Sequence, residues 1–233
     1  MSFFRDHSLL LLLSLAGVFA FLWFLPFRKR LRMGTVKLLI VTTILMFWGF
    51  AAARWVFPFI EAFGNVQEMA NLRMYGIFFF DWIGILIVTK IIKTDRPLFF
   101  DICAVSMVVC ALLGRMDCFV KGCCYGVPFF GHSFRWPIRE IELIANLLLL
   151  AYFIPKILKG KTHGQVYPVC LIYYGMVRFI LECFRVEGTP IGSNGFHLAH
   201  IWSAISVLMG IFGLLILSEK QKREKQKKRA MVK

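Results

Sequence analysis

Three arginines interrupt apolar stretches of the sequence at positions where a charged side chain is energetically costly. Arg54, Arg115 and Arg178 lie within or at the ends of hydrophobic segments. An ionisable residue inside a membrane segment is a candidate functional group, although a single arginine can also extend along apolar surface to reach water. Three such arginines at one membrane face favour a site for an anion.

A charge ladder in the stretch YYGMVRFILECFRVEG points to the same chemistry. Arg178, Glu182 and Arg185 follow each other at i, i+4 and i+7, which places them on one face of a helix. Arginine is preferred to lysine where a planar fork must hold phosphate oxygens. Glu182 would hold the two guanidinium groups in place when no ligand is bound. A purely structural ion-pair ladder is the other interpretation.

The stretch LLGRMDCFVKGCCYGVPFF, at positions 112–130, combines one of these arginines with three glycines. Gly114, Gly122 and Gly126 permit tight turns and close backbone approach, and Arg115 follows the first of them. Backbone amides exposed in such a turn, beside an arginine, predict a pocket for a phosphate group. Glycines that serve only helix packing are the alternative.

Three cysteines in the same stretch raise the question of a metal site. The spacing of Cys118, Cys123 and Cys124 with His132 resembles no standard zinc pattern, which has two separated pairs, so no metal is predicted. A disulfide that involves Cys118 stays open, whereas the adjacent Cys123 and Cys124 have the wrong geometry to pair with each other. The remaining cysteines are interpreted as small packing residues: Cys103, Cys110, Cys170 and Cys183.

The composition is that of an all-α integral membrane protein with a single domain. Of the 233 residues, 59% are hydrophobic and the mean hydropathy is +0.70, whereas soluble domains are about 45–50% apolar. The net charge is +15. Because the basic residues cluster beside apolar runs, they predict membrane topology and contact with anionic lipids, and no binding of nucleic acid.

Seven apolar segments predict about seven transmembrane helices. They cover 9–27, 36–57, 76–91, 98–113, 141–157, 166–181 and 201–217, and the third and fourth are short. Most basic residues fall on one side if the loop after the first segment is cytoplasmic, so we expect the N-terminus outside and the C-terminus inside. The first segment is interpreted as a retained helix, because no small-x-small cleavage site follows it. Residues 1–218 form the membrane domain and 219–233 a basic cytoplasmic tail.

Four motifs resemble the prolipoprotein diacylglyceryl transferase family. GRMDCFVKGCCYG at 114–126 is similar to its signature of a Gly-Arg pair, an Asn or Cys three residues later and a closing Gly. GQVYPVCLIYYGMVRFILECFR at 164–185 resembles its penultimate helix, and GFAAARWV at 49–56 its Gly-x-x-Gly-Ala-Arg segment. WPIREIEL at 136–143 is similar to a Pro-Thr-Gln-Leu-Tyr-Glu element, with Pro137 and Glu142 retained.

The resemblance implies a transferase of the bacterial plasma membrane whose active site faces the outer side. It would move the diacylglyceryl group of phosphatidylglycerol to the lipobox cysteine of a secreted preprolipoprotein, releasing glycerol phosphate. No cofactor is implied. The implied catalytic residues are Arg115, Arg178, Tyr75 and Glu182, and the implied substrate-binding residues are Arg54, Gly122, Tyr125, Gly126, Glu142, Arg185 and His200. Tyr75, Glu182 and His200 all remain candidates for the base.

Two departures from the family pattern keep other interpretations open. A His-Gly-Gly element appears as Tyr75-Gly76-Ile77, and the usual Gln of the fourth motif is Arg139. The outer loops are also short. A related transferase that uses phosphatidylglycerol with a different lipid acceptor, or a non-catalytic lipid-binding or transport protein, would fit these features. No internal repeat is visible, which disfavours a transporter.

Overall fold

The computed structural model describes residues 2–61, 74–128, 135–186 and 197–231. Within these ranges the chain is almost wholly helical, and extended segments pair only through isolated bridges. The helices are α1 (Ser2–Phe24), α2 (Thr35–Ala51), α3 (Phe57–Glu61), α4 (Tyr75–Ile92), α5 (Arg96–Lys121), α6 (Ile138–Leu158), α7 (Val166–Glu182) and α8 (Leu198–Met231). The all-helical expectation is therefore confirmed.

Six helical stretches among the described residues are long and apolar enough to cross a membrane. They are Leu10–Phe27, Thr35–Ile60, Tyr75–Ile92, Arg96–Lys121, Ile138–Leu158 and Leu198–Arg223. The remaining predicted segment forms α7, whose 17 residues span about 26 Å at 1.5 Å per residue. This helix is short and carries Arg178 and Glu182, so the count of seven spans stays a prediction. The basic tail is a continuation of α8 as far as Met231.

The helix that carries Arg54 contains a π-helical turn. Ala52–Val56 joins α2 to α3, and the backbone N–H of Phe57 donates to the carbonyl of Ala52. Pro58 has no N–H to offer the carbonyl of Arg54, which removes one ordinary helical hydrogen bond at this point. Such π turns often occur at functional sites, and this one packs against α4.

The fourth predicted segment is longer than its apolar run suggests. We expected it to end at residue 113 and a turn to begin at Gly114, and this is wrong. Helix α5 continues to Lys121, so that Arg115 and Cys118 lie on its last two turns. The turn begins at Gly122, which has φ +65° and caps the helix with its N–H directed at the carbonyls of Cys118 and Phe119. Polar residues continue a helix as well as apolar ones when the backbone bonds are kept.

The helices begin and end at two opposite ends of the bundle. One end, called the site end, carries the starts of α4, α6 and α8 and the ends of α5 and α7. The other, called the basic end, carries Arg28, Arg30 and Lys159. There Asp101 fastens the α6–α7 connection to α5, since it accepts hydrogen bonds from Thr162 Oγ1 at 2.5 Å, Gly164 N at 2.8 Å and Val166 N at 2.9 Å.

Helices α7 and α8 make the closest crossing of the bundle. A side chain at Gly175 would come within 2.7 Å of the carbonyl oxygen of Ser203, so only glycine permits this approach. The hydroxyl of Ser206 donates to the carbonyl of Leu171 at 2.9 Å on the same seam. This crossing fixes the start of α8 beside the charged end of α7.

Candidate active site

Glu142, near the start of α6, lies at the centre of a buried charge cluster. Its Oε2 atom is 2.7 Å from Nη2 of Arg115 on α5 and 3.4 Å from Nη1 of Arg178 on α7. The Glu142 side chain is 2% exposed, and those of Arg115 and Arg178 are 11% and 8% exposed. Three consecutive helices, α5, α6 and α7, are thus joined through one carboxylate oxygen.

The contacts of the predicted charge ladder form, although Arg185 lies beyond the end of α7 and only Arg178 and Glu182 share the helix. Nη2 of Arg178 lies 2.7 Å from Oε2 of Glu182, and Nη1 of Arg185 lies 3.5 Å from the same atom. Arg178 therefore contacts both carboxylates of the cluster. Three arginines face two glutamates, which leaves one positive charge in excess in a setting that excludes most water. A single anion is the ligand that this cluster would bind most favourably.

Two polar atoms of the cluster have no hydrogen-bond partner among the described residues. They are Oε1 of Glu142 and Nε of Arg185, and both are buried. Buried polar atoms are nearly always paired in native proteins, so an unpaired acceptor and an unpaired donor in one cluster indicate a place for a ligand. The acceptor would suit a hydroxyl group and the donor an anionic oxygen.

Tyr75, at the start of α4, lies inside the bundle and not in direct contact with a guanidinium group. Its hydroxyl shares a 2.6 Å hydrogen bond with Oγ of Ser203 on α8. The ring stacks on Phe79 and meets Tyr174 edge to face at 5.7 Å between ring centroids. Tyr174 in turn interacts electrostatically with Glu142 and both central arginines. Tyr75 thus reaches the cluster through Tyr174.

His200 reaches the charge cluster through a second histidine, which the sequence analysis missed. His197 Nδ1 lies 3.3 Å from Oε1 of Glu182, and the His197 backbone N–H donates to Nδ1 of His200 at 3.1 Å. Phe179 packs edge-on against the His200 ring. The sequence contained a signal for this pair, since positions 197 and 200 are three residues apart, with His197 immediately before α8 and His200 in its first turn.

The turn after α5 pairs with the chain that leaves α7. Val127 N–H donates to the carbonyl of Phe184 at 2.8 Å, and Gly126 forms an antiparallel bridge with Arg185. A side chain at Gly126 would overlap the carbonyl oxygen of Trp136, so glycine is required there. The predicted role of the glycines in shaping a turn beside the arginines holds for Gly122 and Gly126, though not for Gly114.

Tyr125 lies on the rim of the cluster and contacts a different arginine. The guanidinium carbon of Arg139 is 4.5 Å from the centre of the Tyr125 ring and 4.6 Å from that of Phe119. Nη1 of Arg139 also donates to the carbonyl of Cys123 at 3.4 Å. Arg139, which replaces the Gln of the family motif, is therefore held between two aromatic rings at the edge of the site.

Three thiols gather between the turn and the arginines. The Sγ atom of Cys124 lies 3.8 Å from that of Cys118 and 3.6 Å from that of Cys123, and Nη2 of Arg185 donates to it at 3.0 Å. The thiol hydrogen bond with Cys118 and the positive charges of Arg185 and Arg115 hold the pKa of the Cys124 thiol well below its ordinary value. All three cysteines are in the reduced state.

A mainly apolar cavity of about 70 Å³ runs between α1, α2, α4 and α5. At the site end it begins at Gly114 and Met74, beside Arg115, and it extends inward to Phe24 and Ile85. Asp81 also lines it, and the sequence analysis missed this buried carboxyl group, because Lys90 near the far end of α4 is the helix's other charged residue and lies more than two turns away. Arg54 is half-buried on the π-helical turn, and its convergence on the cluster stays a prediction.

Comparisons with known proteins agree with the resemblance seen in the motifs. The family model described as prolipoprotein diacylglyceryl transferase matches residues 9–216. Curated relatives bear the name phosphatidylglycerol–prolipoprotein diacylglyceryl transferase. The protein from Clostridium botulinum (strain Langeland) is 23% identical over 190 residues, covering 72% of this chain and 74% of the relative. The Clostridium tetani protein is 26% identical, covering 63% and 65%.

A relative from a third organism gives the same result. The protein of that name from Ehrlichia ruminantium (strain Welgevonden) is 28% identical over 134 residues, covering 50% of this chain and 51% of the relative. The family model matches most of the chain, including every helix that contributes to the charge cluster. The chain therefore belongs to the prolipoprotein diacylglyceryl transferase family.

Proposed function

We propose that the chain transfers the diacylglyceryl group of phosphatidylglycerol to the lipobox cysteine thiol of a preprolipoprotein and releases glycerol phosphate. The observation that carries this proposal is the contact of Arg115 and Arg178 with one oxygen of Glu142, in a cluster with one surplus positive charge. The leaving group is an anionic phosphate ester, and fixed guanidinium groups would stabilise the charge that develops on it.

In the reaction, a carbon–sulfur bond forms and a carbon–oxygen bond breaks. The thiolate sulfur of the acceptor attacks the glycerol carbon that bears the phosphate, and the electron pair of the broken bond leaves with glycerol phosphate. The thiol proton passes to a base before or during the attack, because the thiolate is the reactive form. The excess positive charge of the cluster would favour that thiolate.

The contacts of the three base candidates differ. Glu182 contacts both Arg178 and Arg185, which suits it to positioning the arginines. The Tyr75 hydroxyl is bonded to Ser203. His200 sits beside His197, which contacts Glu182. We propose that the imidazole pair, oriented by Glu182, receives the proton.

The phospholipid would place its head group in the cluster and the first few methylene groups of an acyl chain in the apolar cavity, whose volume of about 70 Å³ is too small for a whole chain. The cavity starts at Gly114, next to Arg115, and its lining is mainly apolar. Nε of Arg185 could then bind a phosphate oxygen, and Oε1 of Glu142 could accept a hydrogen bond from a glycerol hydroxyl. The site end would face the outer side of the bacterial plasma membrane, with the N-terminus outside. The basic end and tail would lie in the cytoplasm, in agreement with the excess of basic residues there.

A second candidate is a related transferase that gives the lipid group to a different acceptor. The observation that favours it is Arg139, which is held between Phe119 and Tyr125 at the rim. A cation at this position changes the surface that an acceptor peptide would meet on its way to the cluster.

One assay distinguishes these functions. The purified chain is incubated in vesicles with phosphatidylglycerol labelled in its diacylglyceryl part and with a lipobox peptide. Label on the peptide cysteine, and none on a peptide with serine in its place, supports the first function. Consumption of labelled lipid without label on the peptide supports the second. Absence of turnover with retained lipid binding argues against both.

A further inference from the structure

The three thiols beside the charge cluster have the spacing of ligands that share one metal ion. The Sγ atoms of Cys118, Cys123 and Cys124 all lie within 4.8 Å of one another, and two of the distances are 3.6 and 3.8 Å. In a tetrahedral zinc site with bonds of about 2.3 Å to sulfur, neighbouring sulfur atoms are about 3.8 Å apart. Two of the three edges of such a site are therefore already present.

The backbone around the thiols is built to bring them together. Cys118 lies on the last turn of α5, and Gly122, at φ +65°, reverses the chain directly after it. Cys124 is itself in the left-handed region at φ +63°, a conformation that non-glycine residues rarely adopt. The reversal turns Cys123 and Cys124 back toward Cys118. A backbone strained in this way needs a compensating interaction, and a shared ion supplies one.

The charges around the cluster fit a metal thiolate. A divalent ion bound by three thiolates carries one net negative charge. Arg185 donates to Sγ of Cys124 at 3.0 Å, and Nη1 of Arg115 is 4.0 Å from Sγ of Cys118. These guanidinium groups would stabilise the anionic complex, as hydrogen bonds from outer groups do at known metal sites. Soft sulfur ligands select zinc over magnesium or calcium.

We propose that Cys118, Cys123 and Cys124 bind one Zn²⁺ ion through three thiolates, with water in the fourth coordination position. The ion would tie the last turn of α5 to the turn that follows it. It would thereby fix the backbone of Gly122 and Gly126 beside Arg115 and Arg185. This inference does not depend on the proposed transferase activity.

Cobalt is a suitable probe, because a thiolate bound to Co²⁺ gives a charge-transfer absorption that oxygen and nitrogen ligands do not give. The reduced, tag-free full chain in detergent is titrated with Co²⁺ and then with Zn²⁺. We expect one equivalent of Co²⁺ to produce the thiolate band and Zn²⁺ to remove it. Cys118→Ser and Cys124→Ser should each weaken binding by more than the roughly 10–100-fold typical of losing an outer-shell partner.

The matched control is Cys183→Ser, which removes an exposed thiol from the end of α7 and should leave the band unchanged. Thermal unfolding without metal shows whether each variant is folded. If the Cys118 and Cys124 variants do not fold, a second measurement on the wild-type chain takes their place. It records whether Zn²⁺ protects the cysteines from reaction with maleimide. Protection of 118, 123 and 124 but not 183 supports the site. The proposal is overturned if the thiolate band is absent, if Cys183→Ser weakens metal binding as much as the other variants, or if Zn²⁺ gives no protection from maleimide. It is also overturned if the cysteines cannot be kept reduced and the chain is recovered only with a disulfide between them.

Discussion

Arg115 and Arg178 contact the same oxygen atom, Oε2 of Glu142, at 2.7 and 3.4 Å. Two guanidinium groups on different helices repel each other, so the carboxylate between them is what allows both to stay buried. A phosphate that enters this cluster would add a second negative partner for the same two arginines. We propose that Glu142, through these two contacts, is a positioning residue. Each charge of the cluster can therefore be tested by substituting one residue at a time.

Replacing either central arginine should remove most of the transfer activity. We expect Arg115→Ala and Arg178→Ala to lower kcat/KM by at least about 10²–10³-fold, as the loss of one charge-stabilising donor does. Lysine at either position should also be impaired, since a point charge cannot reproduce the bidentate fork. The peptide-labelling assay measures this. The matched control is Arg96→Lys, on the exposed opposite end of α5, and near-normal turnover in both central lysine variants would contradict the proposal.

Glu142→Gln should destabilise the protein as well as inactivate it. Removing one partner of a buried ion pair costs about 3–5 kcal/mol, because the other charge stays buried and unpaired. Here two arginines lose their shared partner. Unfolding of the detergent-solubilised chain measures the effect, and Glu140→Gln is the control, since Glu140 is 41% exposed and lies 3.6 Å from Arg139. Equal stability of the two variants would show that the bridge contributes nothing.

Gly126→Ala should reduce activity more than alanine at Gly122 does. A methyl group at 126 would overlap the carbonyl of Trp136 and displace the segment that pairs with Arg185. At Gly122 the nearest atom is the Tyr125 hydroxyl at 3.4 Å, so the main cost is the left-handed backbone, about 1–2 kcal/mol. Gly34→Ala, with nothing within 4 Å, is the control for both. Transfer rates and unfolding midpoints of the three variants give the order, and the reverse order would refute this account of the turn.

The cysteines beside the cluster should not become covalently lipidated. The attacking thiol in the proposed reaction belongs to the acceptor, so serine variants of Cys118, Cys123 and Cys124 should keep measurable activity with moderate losses from a loosened turn. Intact-mass measurement after incubation with phosphatidylglycerol alone checks for an adduct. A diacylglyceryl group found on any of these cysteines would instead establish a two-step mechanism.

Asp101→Ala should destabilise the helical bundle without changing the transfer activity. The substitution leaves the hydroxyl of Thr162 and the amides of Gly164 and Val166 without their acceptor, and each unsatisfied buried donor costs about 1–3 kcal/mol. Asp95→Ala removes only a helix cap, worth about 1 kcal/mol. We expect a lower unfolding midpoint for the Asp101 variant than for the Asp95 variant, with unchanged activity per folded molecule. A smaller decrease in the unfolding midpoint for the Asp101 variant would contradict the role of Asp101 in fastening the α6–α7 connection to α5.

The sequence by itself determined the class of protein and the outline of the site. Apolar runs long enough to form buried helices indicated an all-helical membrane protein, because burying a backbone in lipid requires its hydrogen bonds to be internal. The spacing of Arg178 and Glu182 correctly placed them on one helix face, since helical periodicity is a local property. Arg185 instead lies after the end of α7 and reaches Glu182 from the chain that follows the helix. The motifs around Arg115 and Arg178 also identified the family.

Only the tertiary structure decided which of these groups meet. The contact of Glu142 with Arg115 and Arg178 depends on how α6 is rotated against α5 and α7, and that rotation is set by side-chain packing between helices. The end of α5 was placed too early because the loss of apolar character was taken for the end of the helix. The gathering of three thiols, and the approach of His197 to Glu182, follow from chain reversals and from the close crossing at Gly175. The contacts of Glu142 and of His197 join residues 15 or more positions apart in the chain, and no local pattern encodes them.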